Sequence, residues 1–290
     1  MFPMKYIAGA LAALGAMICA CSSDAETHDD HADAATCVTV RGGPLWNYSA
    51  GDPLGPSHWG EIASAQDASV YPDCANESQQ QSPIAMARSG AGVVARPFQL
   101  GSELAWSTAA TVQNLRNDGH TWIAGFDPAQ NQLRVDGTDY GLAQFHVHAP
   151  SEHTLDGKEY PLEAHFVHLD ASGTQPFAAV IAVMFEESEN DNPELAKIWP
   201  KFDRCAQEAP SSVTGVTLDL PRLLPEGRTY MTYDGSLTTP PCSFTVRFFV
   251  LLEPLKASKA QIRQLQDAVG RNNRPIQPIL AGTQVSIHRP

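Results

Sequence analysis

The sequence has few basic residues, no long apolar run and little helical periodicity. There are 19 Lys and Arg residues against 32 Asp and Glu, which gives a formal net charge of −13. Such a surface repels phosphate backbones and anionic membranes, so we expect no nucleic-acid partner. No apolar stretch reaches the roughly 18 residues that a membrane-spanning helix needs, so any membrane association must come by another route.

The sequence does contain enough apolar residues for a hydrophobic core, together with many turn-forming residues. Hydrophobic residues make up 43% of the 290 residues, and there are 21 glycines and 22 prolines. This composition, with helix-period patterns scarce, favours a fold rich in strands and loops. The length alone fits one large domain or two small ones. Because we find neither an internal repeat nor a second linker, we predict a single domain.

The N-terminal segment is typical of a bacterial export signal. Lys5 precedes an apolar run, residues 6–18, that ends in small residues and is too short to span a membrane. Ala20 before Cys21 resembles the bacterial lipobox, in which cleavage precedes the cysteine and a lipid is attached to it. The alternative is an ordinary cleaved signal with an incidental cysteine. Ser22, in place of Asp, resembles a lipoprotein sorted to the outer membrane.

These features divide the chain into three segments. Residues 1–20 are a lipoprotein-type signal peptide, residues 21–43 a flexible acidic tether without apolar period, and residues 44–290 the folded domain. We therefore expect an exported bacterial protein, periplasmic or anchored in the outer membrane. Its contact with the membrane would come only through the lipid on Cys21.

Export places the chain where disulfides persist. Once Cys19 is removed and Cys21 is lipidated, four cysteines remain, and four cysteines allow three pairings that the sequence cannot decide. The four are Cys37, Cys74, Cys205 and Cys242.

Short strand-like stretches between turns dominate the folded domain, and several turns carry Asp-Gly dipeptides that suit hairpins. Helical pattern is confined to two places. One helix is predicted from the Asn192 cap to about Ala206, and a second covers 259–269 between Ser258 and Gly270. The fold class is mainly β (α+β), with one large, twisted, mostly antiparallel sheet and short peripheral helices. The predicted strands are Thr111–Leu115, Thr121–Phe126, Gln132–Val135, Gln144–His148, Glu163–Leu169, Ala178–Phe185 and Thr245–Leu252.

The strongest chemical signal is a set of histidines at strand spacing. Within residues 144–148 (QFHVH), alternate side chains share one face of a strand, so His146 and His148 point the same way. His165 follows in a second alternating segment, and Asp156-Gly157 between the two permits a hairpin. If the strands pair, three neutral nitrogens converge and one tetrahedral position stays open. That is the ligand count of a catalytic zinc site rather than a structural one.

A pair of histidines on a strand is more often an ordinary solvent-facing pair, so the neighbouring side chains matter. An imidazole that binds a metal needs its other N–H held by a carboxylate, amide or carbonyl. Gln144 and Glu163 occupy the same-face positions that can supply this support.

These segments, taken in order, resemble the alpha-class carbonic anhydrases over almost the whole domain. Each motif alone is weak evidence, whereas their order and spacing together are specific. The segments are Trp46-Asn47-Tyr48, Gly55-Pro56-Ser57-His58-Trp59-Gly60, Gln80-Gln81-Ser82-Pro83-Ile84, Asp118-Gly119-His120-Thr121, Gln144-Phe145-His146-Val147-His148, Ser151-Glu152-His153-Thr154, Glu163-Ala164-His165, Ser236-Leu237-Thr238-Thr239-Pro240-Pro241 and Asn272-Asn273-Arg274-Pro275.

The resemblance implies the alpha-carbonic-anhydrase fold and a lyase that hydrates carbon dioxide reversibly to bicarbonate and a proton. In this family three histidines hold a zinc ion (Zn²⁺), and the zinc-bound hydroxide attacks the substrate. The matching ligands here are His146, His148 and His165. Thr238 matches the threonine that accepts a hydrogen bond from the hydroxide, and Glu152 the glutamate that accepts a hydrogen bond from the threonine's own hydroxyl.

The resemblance also assigns the surrounding residues. His120 matches the histidine that carries the proton to buffer, a task that suits a pKa near neutrality. Tyr233 matches a tyrosine that supports the threonine–glutamate pair, and His153 a buried structural histidine. Cys74 and Cys242 match a disulfide of extracellular members, which leaves Cys37 and Cys205 as a second possible bridge. The substrate pocket is matched by Val167, Val180, Leu237 and Thr239.

Three positions depart from the family pattern. Phe244 stands where a glutamate is usual, Phe248 stands where a tryptophan is usual, and Ile123 replaces a polar side chain near the shuttle. We expect Phe248 to leave the pocket floor less filled and Ile123 to weaken the water chain. None of these changes removes a ligand, so they bear on the turnover rather than on the reaction.

Two functions of other classes remain open at this stage. A non-catalytic carbonic-anhydrase-like binding module would typically lack at least one ligand histidine, whereas this chain keeps all three. A periplasmic zinc-binding protein is suggested by His28 and His31 in the tether, but it would not need Thr238 or Glu152. A dedicated serine hydrolase is not supported, because no Gly-x-Ser-x-Gly motif occurs.

Overall fold

The computed structural model describes residues 46–64, 69–89, 93–97, 104–170 and 178–289. The predicted signal peptide and most of the sequence features upstream of Trp46, including Cys21 and Cys37, lie outside these residues. Within them, no helix combines the length and the apolar character needed to cross a membrane.

Strands dominate the described residues, and helices are few and short. The strands are β1 (Ala85–Met86), β2 (Val93–Pro97), β3 (Leu104–Ala105), β4 (Ala110–Thr111), β5 (Asn114–Asn117), β6 (Trp122–Gly125), β7 (Gln132–Val135), β8 (Thr138–His148), β9 (Thr154–Leu155), β10 (Lys158–Glu159), β11 (Leu162–Asp170), β12 (Ala178–Ser188), β13 (Ser211–Ser212), β14 (Thr217–Leu218), β15 (Tyr230–Gly235), β16 (Val246–Leu251), β17 (Leu255–Ser258) and β18 (Val285–Arg289). The α-helices are α1 (Leu195–Ile198) and α2 (Lys259–Val269), and 3₁₀ turns lie at Trp59–Glu61, Pro72–Ala75, Trp199–Lys201 and Leu220–Leu223.

Thirteen of these strands form one mixed sheet, which confirms the predicted fold class. Its main path runs β13-β5-β6-β8-β11-β12-β16-β15-β18-β2, while β3, β7 and β17 pair off this path. Most pairings are antiparallel, but β12 pairs in parallel with β16 and β17, and β18 pairs in parallel with β2. The centre of the sheet is the antiparallel trio β8, β11 and β12.

The long central strands are buried on both faces, because apolar side chains cover the sheet on each side. One cluster takes Phe145 and Val147 of β8 and Phe166 of β11, together with both helices. The other takes Val180 and Ala182 of β12 with the facing residues of β15 and β16. Of the three histidines described below, His148 and His165 are buried, whereas His146 is partly exposed.

The first predicted helix is wrong in extent. It was expected to run to about Ala206, whereas α1 ends at Ile198 and a single 3₁₀ turn follows to Lys201. The reason is Pro200, which has no backbone N–H and so cannot donate the hydrogen bond that would continue the helix. Asn192 still caps the turn, since its Oδ1 accepts the N–H groups of Glu194 at 3.1 Å and Leu195 at 3.2 Å.

The second predicted helix is confirmed at both ends. Ser258 caps α2 by accepting the N–H of Gln261, and the Gln261 side chain returns a hydrogen bond to the N–H of Ser258. This reciprocal pair satisfies two donors that the helix itself cannot. Gly270, with φ of 73°, ends the helix where only glycine is unstrained.

The predicted strand Thr111–Leu115 is in fact two. Thr111 belongs to β4, which pairs with β14, whereas Leu115 belongs to β5 of the main sheet. Two short pairings with different partners replace the continuous strand.

Candidate metal centre

The antiparallel pairing of β8 with β11 brings the three predicted histidines together, while the turn at Asp156-Gly157 joins β9 to β10 instead. In its register His165 lies opposite His146, and Glu163 lies opposite His148. The three ring centroids are 4.7–5.1 Å apart. One nitrogen from each ring lies within 4.8 Å of the other two. Strand alternation and register thus place three imidazoles around one point.

In each ring the second nitrogen is held by a hydrogen bond. His146 Nδ1 contacts Gln144 Oε1 at 2.9 Å, and His165 Nε2 contacts Glu163 Oε1 at 2.8 Å. The partner of His148 Nδ1 is the backbone oxygen of Asn272 at 2.7 Å. An acceptor at one nitrogen fixes the proton there and turns the lone pair of the other nitrogen inward.

The site favours neutral rings at two of the three positions. Burial, reinforced by the other two histidines, holds the pKa of His146 well below its usual value, and burial likewise lowers the pKa of His148. Burial also acts to lower the pKa of His165, but the Glu163 carboxylate outweighs it and the net pKa is raised. Burial would raise the pKa of Glu163, yet His153 and His165 hold it well below normal.

The donor set fits a zinc ion. His148 Nε2 is buried and makes no hydrogen bond to any described residue. No hydrogen bond of the described residues reaches His146 Nε2 or His165 Nδ1 either. Three inward lone pairs on neutral nitrogen donors, with their outer N–H groups supported, are what zinc takes in catalytic sites.

Glu152 lies directly behind these nitrogens. Its Oε1 accepts the backbone N–H of Arg274 at 2.9 Å, while its Oε2 is buried without a hydrogen bond among the described residues. That Oε2 lies 3.4 Å from His148 Nε2 and 3.9 Å from His165 Nδ1. The expected hydrogen bond from Thr238 to Glu152 is therefore not formed, because the carboxylate oxygen faces the imidazoles.

Tyr233 belongs to a different network from the one expected. Its hydroxyl lies 2.6 Å from His153 Nε2 and donates to Ser82 Oγ at 3.0 Å. His153 in turn contacts Glu163 Oε1 through Nδ1 at 2.7 Å. Tyr233 thus supports Glu163 through His153, and the described contacts do not join it to Thr238. His153 is fully buried and structural, as expected.

Apolar residues predicted for the substrate pocket lie on the histidine face of the sheet. Val167 of β11 is two residues beyond His165 and pairs with Val180 of β12. Val167 and Leu237 are partly buried and pack against the cluster that holds Val180. Thr239 is partly exposed on the same loop as Leu237.

Phe248, at the predicted pocket floor, is buried against the metal-facing His165. It pairs with Val180 across β12 and β16 and is 2% exposed. Its ring stacks on Tyr233 with centroids 5.2 Å apart and meets the edge of His165 at 5.9 Å. The ring therefore supports the metal-facing histidine from the apolar side. Phe244, by contrast, is exposed.

His120 is buried at the inner wall of a surface cavity of about 890 Å³ that is also lined by Trp46, Tyr48 and Glu152. The imidazole stacks on Trp46 at 3.6 Å, and its Nε2 has no hydrogen-bond partner among the described residues. Burial lowers the pKa of His120, although Asp118 partly opposes this shift. Ile123, three residues on, lies opposite His146 in the β6–β8 pairing and is partly buried.

Cys74 and Cys242 form a disulfide, as the resemblance implied. It joins the 3₁₀ turn Pro72–Ala75 to the loop that carries Thr238. Cys205 is also disulfide-bonded, whereas Cys37, its expected partner, lies outside the described residues.

Two contacts to the site come from residues 272–274, to which the sequence motifs gave no role. Asn272 supports His148 through its backbone oxygen, and Arg274 fixes Glu152 through its backbone N–H. Backbone atoms carry no side-chain signature, and these lie more than a hundred residues from their partners. Only the resemblance of Asn272–Pro275 to a family turn pointed to this segment.

Comparison with known proteins gives consistent results. A family model described as eukaryotic-type carbonic anhydrase matches residues 54–284. A carbonic anhydrase of Pectobacterium carotovorum is 38% identical over 236 residues, which are 81% of this chain and 87% of that protein. One of Klebsiella pneumoniae is 44% identical over 167 residues, 57% of this chain and 65% of that protein. The solved α-carbonic anhydrase of Thermovibrio ammonificans, in complex with the inhibitor sulfanilamide, matches with a TM-score of 0.71 and 38% identity, covering 84% of this chain and 99% of its own.

Proposed function

Because this chain belongs to the eukaryotic-type (alpha) carbonic anhydrase family of lyases, we propose that it hydrates carbon dioxide reversibly to bicarbonate at a zinc site. The observation that carries the proposal is the arrangement of His146, His148 and His165. Each ring has one nitrogen held by a hydrogen bond and the other turned toward a common point. A purely structural role would not explain three inward nitrogens that make no hydrogen bond to any residue the structure describes.

Zinc is held by His146 Nε2, His148 Nε2 and His165 Nδ1. When bound it supplies Lewis-acid chemistry, making a water molecule acidic enough to act as a nucleophile at neutral pH. The three neutral imidazoles leave the positive charge of the ion undiminished. Gln144, Glu163 and the Asn272 carbonyl keep the rings oriented, because each holds one N–H in a fixed direction.

Glu152 and Thr238 orient the nucleophile. Glu152 Oε1 is already occupied by the Arg274 N–H, so Oε2, which faces the imidazoles in this structure, is the oxygen that must turn to accept a hydrogen bond from the Thr238 hydroxyl. A threonine hydroxyl that donates to Glu152 has only acceptor lone pairs left. It can therefore only accept a hydrogen bond from the nucleophile, which would leave a lone pair of the nucleophile directed toward the substrate.

Carbon dioxide is small and apolar, and the apolar wall receives it without a specific hydrogen bond. Val167, Val180 and Leu237 form this wall next to His165. Burial of these side chains between Phe248 and the histidines excludes water from the reacting side. Thr239, at the open end of the loop, is placed to contact the more polar product, bicarbonate.

His120 transfers the proton from the site to buffer. Its buried Nε2 has no partner among the described residues, and its ring lines a cavity that opens to solvent. The lowered pKa of His120 favours rapid release of the proton once it arrives, at the cost of weaker capture. Ile123 offers no hydrogen bond to water on the way, so proton transfer is expected to limit turnover in dilute buffer.

We also propose that the chain is exported and anchored through Cys21. The N-terminal basic residue, short apolar run and lipobox-like cysteine support this, as does a disulfide between Cys74 and Cys242, since disulfides persist in oxidising compartments. Mass spectrometry of the full chain made in a bacterial host tests it. A mature N-terminus at a diacylated Cys21 is expected, and an unmodified Cys21 would contradict the anchor.

The test of the proposed activity is hydration of carbon dioxide measured together with zinc content. We expect about one zinc per folded domain, rapid hydration, loss of the rate when a chelator removes the metal and recovery when zinc is returned. Full zinc without hydration would contradict the enzyme and favour a zinc-binding protein. Hydration that persists after complete zinc removal would contradict the metal site.

A further inference from the structure

Asn272 is a buried asparagine whose side chain makes three hydrogen bonds, shared between two functional segments. Its Oδ1 accepts the N–H of Ala149 at 2.7 Å. Its Nδ2 donates to the backbone oxygens of His120 at 2.8 Å and Val147 at 2.9 Å. Only one amide orientation fits, because a flipped amide would set its oxygen against two carbonyls. The side chain is 0% exposed, so these contacts are not exchanged with water.

The contacts lie where the sheet ladder stops. Strands β6 and β8 pair from Gly125 to Ile123, and Ile123 lies opposite His146. Beyond that point His120 and the segment around His148 have no ladder hydrogen bonds to each other. Side chains join them instead: Thr121 Oγ1 contacts the backbone oxygen and N–H of Val147, and Asn272 bridges the two strands.

The same residue therefore reaches the metal side and the proton-shuttle side. On β8 its side chain brackets His148 through Val147 and Ala149, and its backbone oxygen holds His148 Nδ1. On the shuttle side it holds the backbone of His120, two residues before β6 begins. Moving one of these segments relative to the other requires breaking a buried amide hydrogen bond, which is costly because the orphaned group finds no water.

We propose that the Asn272 side chain is a positioning residue that fixes His120 relative to the zinc-binding strand and so sets the efficiency of proton transfer. The inference rests on the proposed function. Transfer through water depends on a constant separation between the site and the shuttle. If the two segments are less firmly joined, the rate of attack on carbon dioxide stays the same, whereas the export of the proton becomes slower.

The expected result for Asn272→Ser and Asn272→Asp is a selective fall in kcat. Both keep a backbone oxygen at residue 272 for His148, while the two donors to His120 and Val147 are lost. We expect kcat in dilute buffer to fall about tenfold, below the roughly 10²-fold that a 1 Å misplacement can cost. The value of kcat/KM should change less than about threefold, because attack precedes proton export. Added imidazole should restore most of kcat.

The neighbouring Asn273 supplies a matched control. Its side chain donates to the backbone oxygen of Ser151 at 3.2 Å, and no hydrogen bond of the described residues joins it to His120 or β8. Asn273→Ser should leave both kinetic constants unchanged. The double variant His120→Ala/Asn272→Ser adds a second control: if Asn272 acts through His120, it should be no slower in dilute buffer than His120→Ala alone.

Hydrogen exchange of the Ala149 amide, measured on zinc-free protein, gives a readout that needs no activity. The amide should exchange at least about tenfold faster in Asn272→Ser than in the parent, since its acceptor is removed. Equal loss of kcat and kcat/KM, or additive losses in the double variant, would overturn the proposal. An unchanged Ala149 exchange rate would also overturn it. If the parent protein with full zinc shows no hydration, the proposed function fails, and the exchange experiment still tests the contact.

Discussion

Strand β11 carries two fully buried histidines, three residues apart and on opposite faces of the sheet. His168 uses both nitrogens: Nδ1 donates to the backbone oxygens of Phe166 and Ala179, and Nε2 accepts the indole N–H of Trp106 at 3.0 Å. His165 uses only Nε2, which Glu163 holds, while Nδ1 makes no hydrogen bond to a described residue. Burial is the same in both.

The difference lies in the chemistry of the partners. Neutral carbonyls and an indole leave His168 uncharged, and burial lowers its pKa to about 4. A carboxylate beside His165 raises its pKa in spite of burial. A histidine with every nitrogen satisfied serves packing, whereas one with a supported ring and a nitrogen left over is arranged to bind a cation.

The largest expected effect on zinc content and hydration rate comes from replacing one of these two histidines at a time. His165→Ala should remove bound zinc and reduce hydration by more than the roughly 10- to 100-fold typical of changes around a metal ligand. His168→Gln should keep zinc and the rate per folded molecule. Zinc analysis and stopped-flow hydration measure both. A His165→Ala protein with full zinc and full rate would remove the distinction between the two residues.

A smaller effect is expected when the support of a ring is changed. Glu163 accepts hydrogen bonds from the His165 and His153 rings and from the backbone N–H groups of Glu152 and His153. Glu163→Gln must turn its amide N–H₂ toward some of these donors, so zinc affinity should fall roughly 10- to 100-fold. Gln144→Ala removes one contact to a less buried ring and should cost less. Competition with a chelator gives the zinc affinity of both variants. Equal losses of affinity in Glu163→Gln and Gln144→Ala would contradict the expected order.

The pH dependence of the free energy of unfolding should report the protonation of His168. Its pKa is about 4 when folded and near 6.5 when unfolded, so the unfolded chain binds more protons between these values. The contribution of His168 to the free energy of unfolding is fully present above about pH 6.5. It falls by roughly 3 kcal/mol as the pH drops to 4. Denaturant unfolding of zinc-free protein and of His168→Gln at both pH values checks this. The same slope in both proteins would show that His168 does not titrate as described.

The smallest expected effect concerns His120, which depends on buffer. His120→Ala should lower kcat roughly tenfold in dilute buffer, less than the roughly 10²- to 10⁴-fold that proton-transfer catalysis typically contributes, and leave kcat/KM nearly unchanged. Imidazole should restore much of the loss. Replacing Ile123 with Gln should raise kcat only while His120 is present. If His120→Ala has no effect in dilute buffer, the proton leaves by another route.

The sequence predicts the sheet and the histidine site well where the information is local. Strand alternation places His146 and His148 on one face, and it places Gln144 and Glu163 beside the rings that they support. The same reasoning puts His168 on the opposite face. These predictions need only the period of a strand and one hairpin, which is why they succeed.

Contacts made by distant backbone atoms could not be predicted in this way. The Asn272 oxygen on His148 and the Arg274 N–H on Glu152 depend on how a late loop returns to the sheet. The partners of Tyr233 were misassigned for the same reason, since its hydroxyl reaches His153 and Ser82 rather than Thr238. The helix expected to reach Ala206 is a local error, because Pro200 is visible in the sequence.

The most direct test of the metal centre is X-ray absorption at the zinc edge on the purified, zinc-loaded protein. We expect a four-coordinate ion with three imidazole nitrogens at about 2.0–2.1 Å and one oxygen ligand. The imidazole signal should fall from three rings to two in any zinc retained by His165→Ala, and it should stay at three in His168→Gln. A parent spectrum with sulfur ligands, or with fewer than three imidazoles, would contradict the assignment of His146, His148 and His165.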